Sequence, residues 1–162
     1  MIVVSDSTPI ISLAKIDMLE VLGKLYKEIV LPHAVHDEVC RNPNFAIESK
    51  AIQACTFIRV ETVNNLQSVK ILRAAGLDLG ESEAIVLADS LSGSLLLMDE
   101  RKGRQIALSM GLRITGTLGI ILQAKKHGLI AQIKPSLDAL VDANIRISEK
   151  LYHSILEQAD EI

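Results

Sequence analysis

The sequence predicts an α/β domain in which buried parallel strands alternate with helices. Three observations carry this expectation. Short apolar runs recur along the chain, a polar or proline-marked helix start tends to follow them, and the apolar residues are almost all aliphatic. Of 162 residues 49% are hydrophobic but only 2% aromatic, so Leu, Ile, Val and Ala have to fill the interior. Such a core suits strands buried on both faces. The length is that of one domain, residues 1–162, able to bury a core without disulfides or a structural metal.

Residues 2–4 (IVV) form the first strand. The polar cluster Ser5-Asp6-Ser7-Thr8 and Pro9 follow it, and a proline in the first turn behind a Ser, Thr or Asp cap costs no helical hydrogen bond, so a helix starts there. The same order recurs at residues 28–31, a second strand, with Pro32 opening a helix through AVHDEV. Residues 56–60 are a weaker third strand with β-branched and aromatic side chains. In LGESEAIVLADSL, Ala84, Leu87, Ala88 and Leu91 fall at helical spacing, which predicts an amphipathic helix over residues 80–91. Residues 94–98 (SLLLM) make a fourth strand ended by Asp99, and a helix over 100–110 stops near Gly111. Leu112 to Thr115 are the fifth strand, Gly116-Thr117 begin another helix, and Gly128 is placed to end it. Beyond Pro135, residues 135–143 and 147–160 read as helices, the second capped by Ser148. This alternation requires crossover connections and hence a parallel sheet. The signals are weakest over residues 42–75.

Seventeen basic and twenty acidic residues leave a net charge of −3, which is not the footprint of a general nucleic-acid binder. A nucleic-acid substrate has to be held by local cations or by bound metal. Tyr26, Phe45, Phe57 and Tyr152 are scattered, which argues against a platform that stacks successive bases. Cys40 and Cys55 lack CxxC or zinc spacing and read as thiols of a reduced compartment. His33, His36, His127 and His153 do not form a zinc pair with a third ligand in view. Phosphate-loop, dinucleotide and nucleophile-elbow motifs are all missing, so neither a nucleotide cofactor nor a serine nucleophile is implied. No run approaches the roughly 18 apolar residues of a membrane span, and the expected location is cytoplasmic.

In an open parallel sheet the loops leaving the carboxyl ends of the strands converge on one crevice, where ligands bind. Asp6 and Asp99 both stand at such ends. Two like charges about 4 Å apart repel by roughly 4 kcal/mol at an effective dielectric near 20, so acids gathered there call for a cation. For oxygen ligands the natural choice is a hard ion, Mg²⁺ or Mn²⁺. Glu38 can join from the helix opened by Pro32, with Val35 and Val39 on that helix's apolar face, and Glu81 from the first turn of the next, with Glu83 two residues later. Such a cluster binds metal, which activates water and offsets charge on a phosphodiester. Each acid also has a plainer reading. Asp6 and Asp99 are potential helix caps, Asp78-x-x-Glu81 fits a capping box, and Glu38 alone reads as a solvated helix residue.

The blocks VVSDSTPIISLAKI, LPHAVHDEV, LDLGESEAIVLA, LLLMDERKGRQIA and GLRITGTLGIILQAKKHGLI, in this order and spacing, resemble the PIN-domain family of metal-dependent ribonucleases. Within it, they are most similar to short prokaryotic PIN-like proteins related to VapC toxins. The resemblance covers nearly the whole chain and implies a three-layer α/β/α fold with a five-stranded parallel sheet. It also implies Mg²⁺ or Mn²⁺ held by Asp6, Glu38, Glu81 and Asp99 as catalytic and metal-binding acids. Glu81 stands where the family more often has Asp, and Glu83 is close enough to substitute for it. A hydroxyl beside the first aspartate is usual, which makes Ser7 or Thr8 a candidate to orient Asp6 or a metal-bound water. Thr115 and Thr117 take a supporting place, and Arg101, Lys102 and Arg104 are candidates to contact the substrate backbone.

The function expected is that of a toxin-type endoribonuclease acting on RNA. The alternative is a catalytically weak or inactive PIN-like module that works through a protein partner. Positive mean hydropathy, +0.31, and the terminal helix SEKLYHSILEQA suggest apolar surface covered by another chain. The resemblance points to a homodimer and to a cognate antitoxin protein as partners.

Overall fold

The computed structural model describes residues 1–162. Five strands, β1 (Val3–Ser5), β2 (Ile29–Pro32), β3 (Ile58–Glu61), β4 (Leu95–Leu97) and β5 (Arg113–Thr115), form one sheet in the order β3-β2-β1-β4-β5. All pairs are parallel, with Val3 opposite both Ile29 and Leu95, and Ser5 opposite Leu97. From β1 the chain first builds outward through β2 and β3, then crosses to β4 and β5 on the other side. The order therefore reverses between β1 and β4, which creates a crevice at their carboxyl ends.

Ten helices accompany the sheet: α1 (Ser7–Lys15), α2 (Leu19–Tyr26), α3 (His33–Arg41), α4 (Ala46–Gln53), α5 (Leu66–Ala74), α6 (Leu79–Ser90), α7 (Arg101–Ser109), α8 (Thr117–Lys126), α9 (Lys134–Asp142) and α10 (Glu149–Gln158). Alternation along the strands divides them into two layers. Val3, Ile29, Leu31 and Leu97 pack into one core with Ile10 and Leu13 of α1, Leu22 of α2, Ile120 and Ile121 of α8, and Leu137 of α9. The residues between them, Val4, Val30 and Leu96, pack into a second core with Leu72 of α5, Ile85 of α6 and Ala107 of α7. The expected three-layer α/β/α arrangement is therefore present. Each fully buried aliphatic side chain contributes about 1.5–3 kcal/mol, and these layers keep the strand ends in place.

The strands and the later helices fall within a few residues of their expected positions, with Gly111 and Gly128 at φ 80° and 72° just beyond the ends of α7 and α8. One correction concerns α6, which is not amphipathic. Gly80, Ser82 and Ala84–Ala88 are all buried, because α3, α5 and α7 pack around it as well as the sheet. Other additions are α2, α4 and α5. α4 buries only Ser49 and Ile52, and α5 only Val69 and Leu72, too thin a stripe to stand out in a sequence pattern. No helix is long and apolar enough to cross a membrane.

The chain end is tied back to the body. Glu161 accepts hydrogen bonds from the backbone N–H groups of Ile133 (2.7 Å) and Lys134 (3.1 Å), so it caps α9, and it pairs with Lys125 Nζ at 3.0 Å. Its side chain is only 7% exposed. Glu161→Ala is therefore expected to cost about 2 kcal/mol and to lower Tm by roughly 4–8 °C, read by thermal melting. An unchanged Tm would show that the tie carries no stability.

Candidate active site

β1 is the central strand, and the chain leaves its carboxyl end directly into Asp6. The Asp6 N–H donates to the Leu97 carbonyl of β4 at 2.9 Å, which fixes the residue at the crevice. Asp6 occupies the cap position of α1 but makes no side-chain cap hydrogen bond, so capping does not account for it. The residue is 4% exposed. Burial pushes its carboxyl up to about 7, against the lowering effect of the Ser7 N–H, and the charges of Glu81, Asp78 and Glu38 push the same way.

Glu38 reaches this group from α3. Val35 and Val39 are fully buried and turn the helix so that Glu38 Oε2 accepts a 2.8 Å hydrogen bond from Ser7 Oγ. Ser7 thus orients Glu38. Thr8 is exposed. Gly80, in the first turn of α6, faces Glu38: a β-carbon there would lie 2.9 Å from Glu38 Oε2 and 3.5 Å from Val35. The glycine is what lets α3 and its acid come so near α6.

Glu81 completes a capping box. Its Oε1 accepts from the Asp78 N–H at 2.9 Å, and Asp78 Oδ1 accepts from the Glu81 N–H at 2.7 Å. Burial, with the charges of Asp78 and Glu100 added, still raises its carboxyl to about 7. Glu83 points elsewhere, accepting from the Ala34 N–H at the start of α3 at 3.1 Å. It therefore clamps α6 to α3.

Asp99 lies on the other side of the crevice, two residues beyond β4, where the Met98 N–H donates to the Thr115 carbonyl at 2.9 Å. It does not cap α7, a role taken by Glu100, which accepts from Lys102 N–H and Gly103 N–H. Asp99 instead receives the Thr117 N–H at 2.7 Å and the Thr117 hydroxyl at 2.6 Å. Thr115 is half-buried, with its hydroxyl against Gly119. Arg101 and Lys102 are exposed on the first turn of α7, with Lys102 Nζ over Gly76, whereas Arg104 is half-buried and donates to the Met98 carbonyl at 2.8 Å.

The structure thus places Asp6, Glu38, Glu81 and Asp99 at one end of the sheet, and it adds Asp78 and Glu100. Asp78 was legible only as a cap, and the adjacency of Glu100 to Asp99 was the one signal for the second. The family model DUF3368, described as a PIN domain, matches residues 2–161. The chain belongs to the PIN-domain family. None of the curated proteins matches it. PIN domains are generally nucleases and usually bind divalent metals, which makes hydrolase the coarse class.

The acids of this PIN domain suit a hard divalent ion in kind. They are all oxygen donors, and one of them, Asp6, is buried among like charges that raise the energy of its ionised form. As arranged, no group of three His, Cys, Asp or Glu side chains is close enough to hold an ion. Three of the acids are engaged locally instead: Ser7 holds Glu38, the Asp78 N–H holds Glu81, and Thr117 holds Asp99. Acids partnered in this way avoid the repulsion of a closed cluster.

Proposed function

We propose that this PIN domain is a metal-dependent endoribonuclease of the toxin type, hydrolysing RNA phosphodiesters at the carboxyl ends of β1 and β4. The observation that carries the reading is Asp6: a nearly buried carboxyl at the end of the central strand, crowded by the charges of Glu81, Asp78 and Glu38. Asp6, Glu38, Glu81 and Asp99 would hold Mg²⁺ or Mn²⁺, which when bound supplies activated water and charge compensation on the phosphodiester. Ser7 keeps Glu38 turned toward Asp6, and Thr117 keeps Asp99 from swinging into solvent. Glu81, fixed at the start of α6 by its capping box, would lend a carboxylate oxygen to the same ion. Arg101, Lys102 and Arg104 contact the RNA backbone, offsetting the net charge of −3.

The expected result is RNA cleavage that requires Mg²⁺ or Mn²⁺ and stops on chelation. Asp99→Asn loses at least about 100-fold in rate while keeping its circular dichroism and melting profile. Cleavage by the variant at the parental rate would show the site to be wrongly placed.

A second reading, a non-catalytic binding module, is favoured by the capping box that engages Glu81 and by the open arrangement of the acids. Calorimetry separates the two. Micromolar Mn²⁺ binding that Asp6→Asn removes supports the nuclease, and none at millimolar Mn²⁺ supports the module. As partners we propose a second copy of the chain and an antitoxin protein. Exposed Leu66, Ile71, Leu108, Met110 and Leu151 supply apolar surface for such contacts. A cytoplasmic location accords with the free thiols Cys40 and Cys55.

A further inference from the structure

We propose that Arg104 is a fixed clamp for the scissile phosphate, a positioned part of the reaction site rather than one more surface cation. The inference rests on the RNA-cleaving reading above. Arg101 and Lys102 are exposed at the start of α7, but Arg104, one turn on, is half-buried and turns back to the end of β4. Its Nη1 donates to the carbonyl of Met98, a fully buried residue that immediately precedes Asp99. The guanidinium is thus pinned to the strand end that carries an acid of the site.

A guanidinium has five N–H donors in a planar fork. The bond to Met98 is the only side-chain hydrogen bond that Arg104 makes, and it forms no ion pair with Asp99, whose two oxygens each accept one bond from Thr117. A cation with unspent donors therefore stands beside the crevice. Such a fork matches two oxygens of one phosphate, a geometry that lysine cannot reproduce.

The residue next to it is the second observation. Gly116 has an extended backbone, φ −115° and ψ −174°, that any L residue adopts. Conformation does not require a glycine here; space does. A β-carbon would lie 2.5 Å from Asp99 Oδ1, 3.1 Å from Arg104 Nη1 and 3.5 Å from the Met98 carbonyl oxygen. Glycine keeps clear the one place where the acid and the fork come together, and a phosphate oxygen facing both would need that clearance. Near so many carboxylates, an RNA backbone also needs a fixed positive group to approach.

The test uses Arg104→Lys and Arg104→Gln. Glutamine can still donate to the Met98 carbonyl, so the fold is kept while the charge and the fork are lost. Turnover of an RNA substrate with Mn²⁺ is measured together with Tm. Binding of the same labelled RNA is measured by anisotropy across a salt series, with each change also made in the non-cleaving Asp6→Asn protein. Arg104→Gln is expected to lower kcat about 100-fold, and Arg104→Lys at least about tenfold, with Tm little changed. In the Asp6→Asn background, Arg104→Gln is expected to reduce the salt slope of RNA binding by about 0.7, one phosphate contact to single-stranded RNA. A kcat within threefold of the parent, or an unchanged salt slope, overturns the clamp. Absence of cleavage by the parent protein would overturn the nuclease reading instead, and the salt slope would then judge Arg104 independently.

Discussion

Asp6→Asn is expected to remove RNA cleavage and at the same time to stabilise the metal-free protein at pH 8. Two effects of opposite sign come from one group. In the folded chain burial, with the neighbouring charges, raises the Asp6 carboxyl from 3.8 to about 7. A raised carboxyl binds its proton more tightly folded than unfolded, so its stabilising effect is present in full below about pH 4 and is lost as pH rises through 7. A shift of this size corresponds to about 4 kcal/mol as an upper bound, less what local relaxation recovers. Asparagine has nearly the same shape and carries no charge. In chelator, the parent should lose several degrees of Tm between pH 5 and pH 8. The variant should lose less and melt higher at pH 8. Part of the slope remains in the variant, because Glu81 is raised to about 7 as well. Activity with Mn²⁺ should fall by at least about 100-fold, since even outer partners of metal ligands cost 10- to 100-fold. Identical melting of the two proteins at pH 8 would mean that the charge of Asp6 is already relieved within the fold.

Gly116→Ala is expected to cut cleavage by about 100-fold with only a modest loss of stability. The added methyl group would stand 2.5 Å from Asp99 Oδ1 and 3.1 Å from Arg104 Nη1, with the Met98 carbonyl oxygen at an ordinary contact distance of 3.5 Å. The Asp99 side chain can give way, and in doing so it surrenders its bonds to Thr117. The fold loses about 1–3 kcal/mol for those bonds, whereas the site loses an acid from its working position. Measuring kcat alongside Tm checks this. A variant as active as the parent would show that the position of Asp99 has little to do with the chemistry.

The strands β1, β2 and β4 were legible because each is a short aliphatic run closed by a polar group or proline, as at Ser5-Asp6 and Leu31-Pro32, whereas β3 and β5 carry Arg59 and Arg113 and were placed by their β-branched residues and the alternation with helices. The helices around residues 42–75 were not legible, since each buries only two side chains and leaves no periodic stripe. For α6 the pattern failed for the opposite reason: nearly all its faces are covered, so apolar residues follow no single direction. In the site, Asp6, Glu38, Glu81 and Asp99 were named from placement at strand ends and helix starts. What each side chain touches was out of reach. That Ser7 serves Glu38, that Glu83 holds the start of α3, and that Asp99 is bound to α8 depend on contacts between residues 18 to 49 positions apart.

The hydrogen bonds at the crevice divide it into two braced halves. Ser7 to Glu38 and Glu83 to Ala34 lash α1, α3 and α6 together on one flank; Asp99 to Thr117 and Arg104 to Met98 do the same for α7 and α8 on the other. The main-chain pairing of β1 with β4, extended by the Asp6 N–H to the Leu97 carbonyl, joins the two flanks at the strand ends, and the packing of α1 on α8 and of α6 on α7 backs it from either layer. Surface replacements can therefore alter either jaw, whereas the gauge between them belongs to the paired backbone and the buried core.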